Sequence, residues 1–225
     1  MLEYGIGNGR IALPIARDGA RVTGVDRSTP MLTDLRARLA EEPASVRSRV
    51  KVRRGDMRTV AIDTRFPLVI CPFNTALHLY TRHDVEAWLA RVRDHIAPRG
   101  ELVLDVNMPI IEDLADPPGT EYALPPFVHP TRGRVRYREI FDYDRVRQIQ
   151  FCSMCFSPMR KDGRGTKDDE LVTPLAHRVF FPQELEALLH YNGFETTQIH
   201  GDFEGGPLRQ DSDVMVFHAR PRRSR

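Results

Sequence analysis

The glycine-rich segment near the start of the chain constrains the fold more than any other feature. Residues 3–9 have the sequence E-Y-G-I-G-N-G, directly after the apolar residues Met1 and Leu2. Glycines at a strand-to-helix turn let the backbone bend sharply and come close to a ligand, and the free N–H groups of the next helix carry partial positive charge. The segment therefore predicts a β-strand, a ligand-binding turn and an α-helix, which together open an α/β fold.

Short apolar runs alternate with amphipathic stretches in the first half of the chain, as in a parallel sheet flanked by helices. Strands are predicted at Met1 to Leu2, Arg21 to Asp26, Val50 to Arg53, Leu68 to Ile70 and Glu101 to Val106. Helices are predicted at Ile11 to Ala16, Thr29 to Leu39 and Thr81 to Ile96, the last two capped by Thr29 and Thr81. Near the end, a helix over 181–192 precedes strands over 194–200 and 213–219.

The pattern changes between Pro109 and Phe180. Apolar and polar residues alternate with period two there, notably from Val135 to Phe141. Such alternation is typical of antiparallel strands with two different faces. We therefore expect residues 1–108 and 181–225 to form the core of the fold, and residues 109–180 to form an inserted β lid that binds the acceptor.

The charge balance argues against two classes of partner. The chain has 33 Lys and Arg against 31 Asp and Glu, a formal net charge of +2. Proteins that attract nucleic acid or an anionic membrane carry a much larger basic footprint. No apolar run approaches the roughly 20 residues of a membrane-spanning helix. We therefore expect a cytoplasmic protein, monomeric or homodimeric, that acts on a small molecule and not on nucleic acid or a membrane.

The three cysteines predict neither a disulfide framework nor a metal site. Cys71, Cys152 and Cys155 are an odd number, and no leader segment is recognisable. Cys152 and Cys155 form a C-x-x-C, but strand residues three apart point to opposite faces, and no second pair of ligands completes a zinc site. We expect two half-buried thiols and no metal.

Two acidic motifs follow at the ends of predicted strands. Asp26 ends the second strand about 20 residues after the glycines, where a carboxylate can accept hydrogen bonds from both hydroxyls of a ribose. The third strand runs into Gly55-Asp56-Met57-Arg58. There the Asp56 carboxylate can accept a hydrogen bond from an adenine amino group while Met57 packs on the ring.

The glycine spacing distinguishes two kinds of ligand. The glycines form G-x-G-x-G, and Arg10 stands where another glycine would complete the dinucleotide fingerprint G-x-G-x-x-G. A pyrophosphate needs close approach along the helix, whereas an amino-acid tail with its own ammonium suits an acidic residue such as Glu3. The hypothesis of an NAD-dependent oxidoreductase therefore accounts for Asp26 but not for Asp56 and Met57.

In this order, E-x-G-x-G-x-G, V-x-G-V-D and G-D-M resemble the motifs of class I S-adenosyl-L-methionine (SAM)-dependent methyltransferases. The chain resembles most the small-molecule N- and O-methyltransferases that carry an antiparallel lid sheet between core strands five and six. The resemblance covers nearly the whole chain. It implies a Rossmann-like α/β sheet of seven strands, mostly parallel with an antiparallel last strand. It also implies SAM as the cofactor and S-adenosyl-L-homocysteine as the product.

The resemblance also implies roles for individual residues. It assigns the methionine end of SAM to Glu3, Gly5, Gly7 and Gly9, the ribose to Asp26, and the adenine to Asp56 and Met57. The other residues that we expect to bind the cofactor adjoin these motifs or the loop after the fourth strand: Asn8, Arg27, Met31, Arg58, Pro72 and Phe73.

The loop over residues 71–78 is expected to border the transferable methyl group and the acceptor, since ligands of open α/β sheets bind at the carboxyl ends of the strands. Asn74 can orient an acceptor through its amide, and His78 can take a proton from an amine or hydroxyl near neutral pH. The alternative is that His78 caps or packs against the next helix. In the lid, the residues expected to face the acceptor are Tyr137, Glu139, His177 and Arg178.

The predicted function is the transfer of a methyl group from SAM to an amine or hydroxyl of a small molecule. A non-catalytic SAM-binding protein is the main alternative, because a binding motif does not prove turnover.

Only Met1 and Leu2 precede Glu3, whereas a core strand usually has about five or six residues. We therefore expect the numbered chain to be a truncated or wrongly started form of a longer protein, with a more open and weaker cofactor site.

Overall fold

The computed structural model describes residues 1–131, 133–159 and 170–222. It separates into two compact units, one containing Met1–Met108 and Phe180–Arg225 and the other containing Pro109–Val179. The sequence also predicts a hairpin tip over 161–170 and a solvated tail over 221–225, and both lie largely outside the described residues. In the described part of the chain, no helix is long and apolar enough to cross a membrane.

Strands and helices alternate through the first unit. In chain order, the strands are β1 (Leu2–Tyr4), β2 (Val22–Asp26), β3 (Val50–Arg54), β4 (Phe66–Cys71), β5 (Ile96–Asn107), β6 (Thr120–His129), β7 (Gly133–Asp144), β8 (Ile149–Pro158), β9 (Leu171–Arg178), β10 (Phe194–His200) and β11 (Val214–Pro221). The helices are α1 (Ala12–Arg17), α2 (Thr29–Glu41), α3 (Ala44–Arg47), α4 (Arg82–His95), α5 (Ile111–Ala115) and α6 (Pro182–Tyr191). A 3₁₀ turn spans Thr75–His78.

The first unit is built on a seven-stranded sheet with the order β10-β11-β5-β4-β1-β2-β3. All neighbours from β5 to β3 are parallel, and β11 is antiparallel to both β5 and β10. The predicted fold class, a mostly parallel Rossmann-like sheet with an antiparallel last strand, is confirmed. Because β1 to β4 run in the same direction, the loops that follow them meet at one edge of the sheet, where open α/β sheets bind their ligands.

The first strand lies further along the chain than predicted. It spans Leu2–Tyr4 between β2 and β4, so Glu3 and Tyr4 belong to the strand and not to the turn. All three residues are buried because a strand inside a parallel sheet is covered on both faces. This position carries the Glu3 carboxyl into the interior, where an acidic side chain is rare.

Helix caps position the elements around the sheet. Ser28, and not the predicted Thr29, caps α2, accepting a hydrogen bond from the Met31 backbone N–H. The predicted capping box of Thr81 and Asp84 at the start of α4 is confirmed. The helix ends at His95, and β5 begins at the next residue instead of after Gly100.

The second unit contains a four-stranded antiparallel sheet with the order β6-β7-β8-β9. Its registers place Cys152 opposite Phe141 and Cys155 opposite Arg138, so the two thiols lie on opposite faces, as predicted. Both cysteines are buried and free. Burial is the largest cause that raises the pKa of Cys152 to about 11, which keeps this thiol protonated and poorly nucleophilic near neutral pH.

Candidate functional site

The loops after β1, β2, β3 and β4 enclose a cavity of about 670 Å³ in the first unit. All but one of the predicted cofactor residues line it, namely Glu3, Gly5, Gly7, Asn8, Asp26, Arg27, Met31, Asp56, Met57, Arg58, Pro72 and Phe73. The exception is Gly9. Residues that are separated by up to 70 positions in the chain therefore meet because four parallel strands end at the same edge.

The glycine turn adopts a backbone conformation that other residues rarely take. Gly5, Gly7 and Gly9 have φ values of +72°, +53° and +81°. A Cβ on Gly5 would lie 2.4 Å from Oγ1 of Thr75, and a Cβ on Gly9 would lie 2.3 Å from Cδ1 of Leu35. Gly5 thus lets the turn approach the loop after β4, whereas Gly9 lets it pack beneath α2. Gly9 does not line the cavity, and its predicted contact with the cofactor stays a prediction.

Asp26 fastens the glycine turn to the end of β2. One carboxylate oxygen accepts a hydrogen bond from the Gly7 N–H and the other accepts one from the Ser28 N–H, both at 2.8 Å. A carboxylate oxygen can accept more than one hydrogen bond, so each oxygen retains capacity for a ligand hydroxyl. Asp26 can therefore hold the turn and a ligand together.

Glu3 presents a buried acidic group to the cavity. Its side chain belongs to a residue that is only 2% exposed, and its Oε2 atom has no hydrogen-bond partner among the described residues. Burial, with a smaller contribution from the negative charge of Asp26, raises the pKa of Glu3 from 4.5 to about 8. An unsatisfied buried acceptor is costly, so this atom marks a position that suits a hydrogen-bond donor or a cation.

The raised pKa of Glu3 fixes the sign of its effect on folding stability. The folded protein holds the proton of the Glu3 carboxyl more tightly than the unfolded chain does. The stabilising contribution of protonated Glu3 to the folded state is therefore complete below pH 4.5. That contribution is lost as the pH rises towards about 8. A cation placed beside the carboxylate opposes the loss, because it favours the ionised form.

Arg58 braces the loop after β3. Its Nε and Nη2 atoms donate to the two carboxylate oxygens of Asp56 at 3.0 and 2.7 Å, and its Nη1 atom donates to Asp84 at the start of α4. The hydrogen bonds from this guanidinium hold the pKa of Asp56 below its ordinary value. Asp56 is therefore ionised at neutral pH, and Arg58 serves mainly to position it.

The loop after β4 is clamped to β5. Phe73 and Asn74 are consecutive non-glycine residues with φ values of +56° and +61°, a conformation that costs energy and needs support. The Phe73 N–H donates to Asp105 at 2.8 Å, and the Asn74 side chain exchanges two hydrogen bonds with Asn107. Asn74 does not line the cavity. The two hydrogen bonds to Asn107 make Asn74 a clamp of this loop, and its role in orienting an acceptor stays a prediction.

His78 lies at the end of the 3₁₀ turn and lines the cavity, as expected. Its Nδ1 atom is 3.5 Å from the hydroxyl of Tyr80, which also lines the cavity. Burial, followed by the positive charge of Arg27, lowers the pKa of His78 below 6.5, and the opposing effect of Asp26 is smaller. The imidazole is therefore neutral near pH 7 and able to accept a proton.

The four predicted acceptor residues of the second unit do not share one face of its sheet. The registers place Tyr137 opposite Phe156 and His177 opposite Gln150, so Tyr137, Glu139 and His177 share a face. Tyr137 stacks on Phe156 with 4.8 Å between ring centroids and donates a hydrogen bond to the Glu139 carboxylate. Arg178 lies on the opposite face because successive strand residues alternate, and it donates to Gln148.

Several cavity residues were not predicted from the sequence. They are Ile6, Arg10, Ile11, Val25, Ser28, Gly55, Thr75, Leu79 and Tyr80. Most of them are neighbours in sequence of a predicted motif, and this adjacency is the signal from which they could have been predicted.

The guanidinium of Arg10 lies 4.6 Å from the ring centroid of Phe73, which is 66% exposed. No sequence pattern indicates this cation–π contact, because it joins two different loops.

Comparisons with known proteins agree with this geometry. Residues 1–100 match the family model described as a methyltransferase domain. The cypemycin N-terminal methyltransferase of Streptomyces sp is 29% identical over 109 residues, which are 48% of this chain and 42% of that protein. The dTDP-3-amino-3,6-dideoxy-alpha-D-glucopyranose N,N-dimethyltransferase of Streptomyces fradiae is 30% identical over 105 residues, 47% of this chain and 38% of that protein. These matches therefore span only about two fifths of the curated relatives.

Two solved structures extend the likeness to nearly the whole chain. The CcbJ methyltransferase from Streptomyces caelestis superposes with a TM-score of 0.83 at 24% identity, over 99% of this chain and 83% of that one, which establishes a shared fold. The glycopeptide N-methyltransferase MtfA complexed with SAM has a TM-score of 0.66 at 28% identity, over 97% of this chain and 79% of that one. Both superpositions include the residues of the second unit.

Proposed function

We propose that this chain, which has a Rossmann-like fold and matches a methyltransferase domain model over residues 1–100, is a SAM-dependent methyltransferase that transfers a methyl group to an amine nitrogen of a small molecule. The observation that carries SAM binding, on which the proposal depends, is the buried Oε2 atom of Glu3, which lacks a hydrogen-bond partner among the described residues and belongs to the cavity wall. The ammonium group of an amino-acid tail is the kind of group that satisfies such an atom.

The remaining cavity residues fit the other parts of SAM. Asp26 has acceptor capacity for the ribose hydroxyls, and Asp56 has capacity for the adenine amino group beyond its bonds to Arg58. Met57, partly buried against the core and lining the cavity, supplies a polarizable surface for the ring. When bound, SAM supplies a methyl group that its sulfonium has already activated.

The protein therefore has to align the acceptor and exclude water. Alignment can supply roughly 7 to 11 kcal/mol of the barrier, whereas a general base supplies about 10²- to 10⁴-fold in rate. His78 is the residue that we propose as the base, because it lines the cavity and burial keeps its imidazole neutral near pH 7. A neutral imidazole can take the proton that an ammonium acceptor must lose before its nitrogen has a lone pair.

The second unit supports an amine as the acceptor. The sheet face that carries Tyr137 and Glu139 is rich in aromatic rings, including Phe127 and Phe156 packed against Tyr137. A carboxylate among aromatic rings favours a cation with an apolar body, through charge pairing and cation–π attraction. Two relatives are named as N-methyltransferases, which agrees with an amine acceptor.

The first prediction concerns the cofactor ammonium. Glu3→Gln is expected to weaken SAM binding about tenfold, because a hydrogen bond to a charged group contributes about 1.5–3 kcal/mol. In the wild type, SAM affinity should rise with pH up to about 8, as Glu3 ionises, and Glu3→Gln should abolish this rise. Calorimetric titrations across this pH range test both points. The exposed Glu112→Gln variant is the control, and an unchanged pH profile in Glu3→Gln contradicts the assignment.

The second prediction concerns the reaction. We expect the protein to bind SAM and S-adenosyl-L-homocysteine but not NAD in calorimetry, and to transfer labelled methyl groups from SAM to amines in a panel of amines and phenols. Glu139→Gln should raise the KM for the amine and leave SAM affinity unchanged. Glu121→Gln, on the opposite face of the sheet, is the matched control. Transfer to phenols alone contradicts the amine assignment, and SAM binding without transfer to any compound favours a non-catalytic SAM-binding protein.

A further inference from the structure

A buried histidine joins two segments of the first unit that line the cavity. The hydroxyl of Tyr4, the residue before Gly5, lies 2.7 Å from Nδ1 of His95 at the end of α4. The backbone N–H of Ile62, in the segment between β3 and β4, donates to Nε2 of the same ring at 3.1 Å. We call Tyr4, His95 and Ile62 the imidazole bridge. It connects the end of β1, directly before the glycine turn, to the segment that begins with the 55–58 motif.

The hydrogen bonds of the bridge fix the protonation state of the ring. Because Nε2 accepts from a backbone N–H, it carries no hydrogen, so the neutral ring must carry its hydrogen on Nδ1 and donate it to the Tyr4 oxygen. A protonated ring would place its Nε2–H against the Ile62 N–H, two donors facing each other. The bridge therefore exists only while His95 is neutral.

The core does not require this polar chain for packing. Tyr4 is fully buried and His95 is 1% exposed, so apolar side chains of similar size could fill both positions. Apolar replacement of Tyr4 and His95 together would remove both partners of their mutual hydrogen bond, which can be nearly neutral for stability, but it would leave the Ile62 N–H without its acceptor. Buried polar chains instead specify one arrangement of the segments that they connect.

Charged and titratable groups approach the His95 ring from three elements of the fold. Arg91 and Asp94 lie on the same helix and pair with each other at 2.7 Å. Asp63 and Arg65 line, together with Ile62 and His95, a second cavity of about 450 Å³. Tyr4 approaches from β1. Burial is the main cause that lowers the pKa of His95, and Asp94 and Arg91 act in opposite directions.

We infer that the imidazole bridge is a positioning device: it holds the glycine turn and the 55–58 motif at a fixed spacing for SAM, and acid protonation of His95 uncouples them. This inference rests on the proposed function. It concerns segments that bind opposite ends of the cofactor, so loss of the bridge affects binding of SAM more than the chemical step. Because the neutral ring is the favoured form, titration of His95 should leave SAM affinity unaffected near neutral pH and should lower it below the ordinary histidine range, separately from the change that Glu3 causes.

The test compares three variants of the full chain. His95→Leu removes both hydrogen bonds, His95→Gln retains a neutral acceptor for the Ile62 N–H, and Tyr4→Phe removes only the hydroxyl contact. We expect His95→Leu to bind SAM about tenfold more weakly at pH 7, with kcat at saturating SAM close to that of the wild type. We expect His95→Gln to recover most of this affinity. When both proteins also carry Glu3→Gln, so that residue 3 does not titrate, His95→Gln should lose the fall in SAM affinity at acid pH that His95 shows. Amide hydrogen exchange at Ile62, measured without SAM, should be slow in the wild type and fast in His95→Leu.

Each result supports or contradicts the inference that the imidazole bridge positions the two segments. A fall in SAM affinity at acid pH that persists when His95→Gln is combined with Glu3→Gln overturns the inference, and so do unchanged SAM affinity and unchanged Ile62 exchange in His95→Leu. If His95→Leu does not fold, Tyr4→Phe decides the matter, because unchanged SAM affinity and an unchanged pH profile there contradict the inference. If the wild type fails to bind SAM, the proposed function fails, while Ile62 exchange still tests the bridge in the free protein.

Discussion

Asp26→Ala is expected to weaken SAM binding by about 10² or more, since each hydrogen bond to a charged acceptor is worth about 1.5–3 kcal/mol. Two losses combine in this variant. The ribose hydroxyls lose their proposed acceptor, and the backbone N–H groups of Gly7 and Ser28 lose the carboxylate that holds them at 2.8 Å. The glycine turn is therefore released from β2 at the same time. Calorimetric titration with SAM at pH 7 measures the effect.

Asp26→Asn separates these two losses. Its single side-chain oxygen can still accept from one backbone N–H, whereas its amide donates hydrogen bonds and faces another donor at the second position. We therefore expect an affinity between those of Asp26→Ala and the wild type. Asp34→Ala, which removes an exposed aspartate on α2 that pairs with Arg38, is the surface control. A dissociation constant for Asp26→Ala within threefold of the wild type contradicts the ribose assignment.

His78→Gln is expected to lower turnover at saturating SAM by about 10²- to 10⁴-fold, which is the usual contribution of a general base. The pKa of His78 lies below 6.5 because burial disfavours the imidazolium, so the wild-type base stays active at neutral pH. Turnover of the wild type should therefore fall only in acid, below this lowered pKa. Glutamine does not titrate, and the acid fall in turnover should disappear in the variant. The measurement is kcat across pH 5 to 8, with SAM affinity recorded at each pH.

The pH profiles of kcat and of SAM affinity distinguish the role of His78 from that of His95 in the imidazole bridge. Titration of His78 changes kcat at saturating SAM, whereas titration of His95 changes the affinity for SAM. His83→Gln, an exposed histidine in the first turn of α4, is the matched control. If His78→Gln loses folding stability but retains the wild-type kcat profile, the ring packs against its surroundings and takes no part in proton transfer.

The lining of the cavity could be largely predicted from the sequence, because its residues cluster in short motifs at the ends of strands. The glycine turn, Asp26 and the 55–58 motif each follow an apolar run, and a parallel sheet brings all such ends to one edge. The properties of these motifs also depend on the local sequence. A positive φ favours glycine, and a carboxylate at a strand end can accept hydrogen bonds wherever the strand lies in the sheet. Periodicity likewise predicted the change from a parallel to an antiparallel sheet near Pro109.

The tertiary structure decided what the motifs do individually. Gly9 packs beneath Leu35, and the side chain of Asn74 pairs with Asn107. The burial of Glu3, which raises its pKa, and the bridge from Tyr4 to His95 depend on residues that lie far apart in sequence. Side-chain environment and hydrogen-bond partners across such distances are set by how the sheet and helices pack. A linear pattern records which residue types are present, whereas desolvation and long-range pairing arise only when the packed elements bring those residues together.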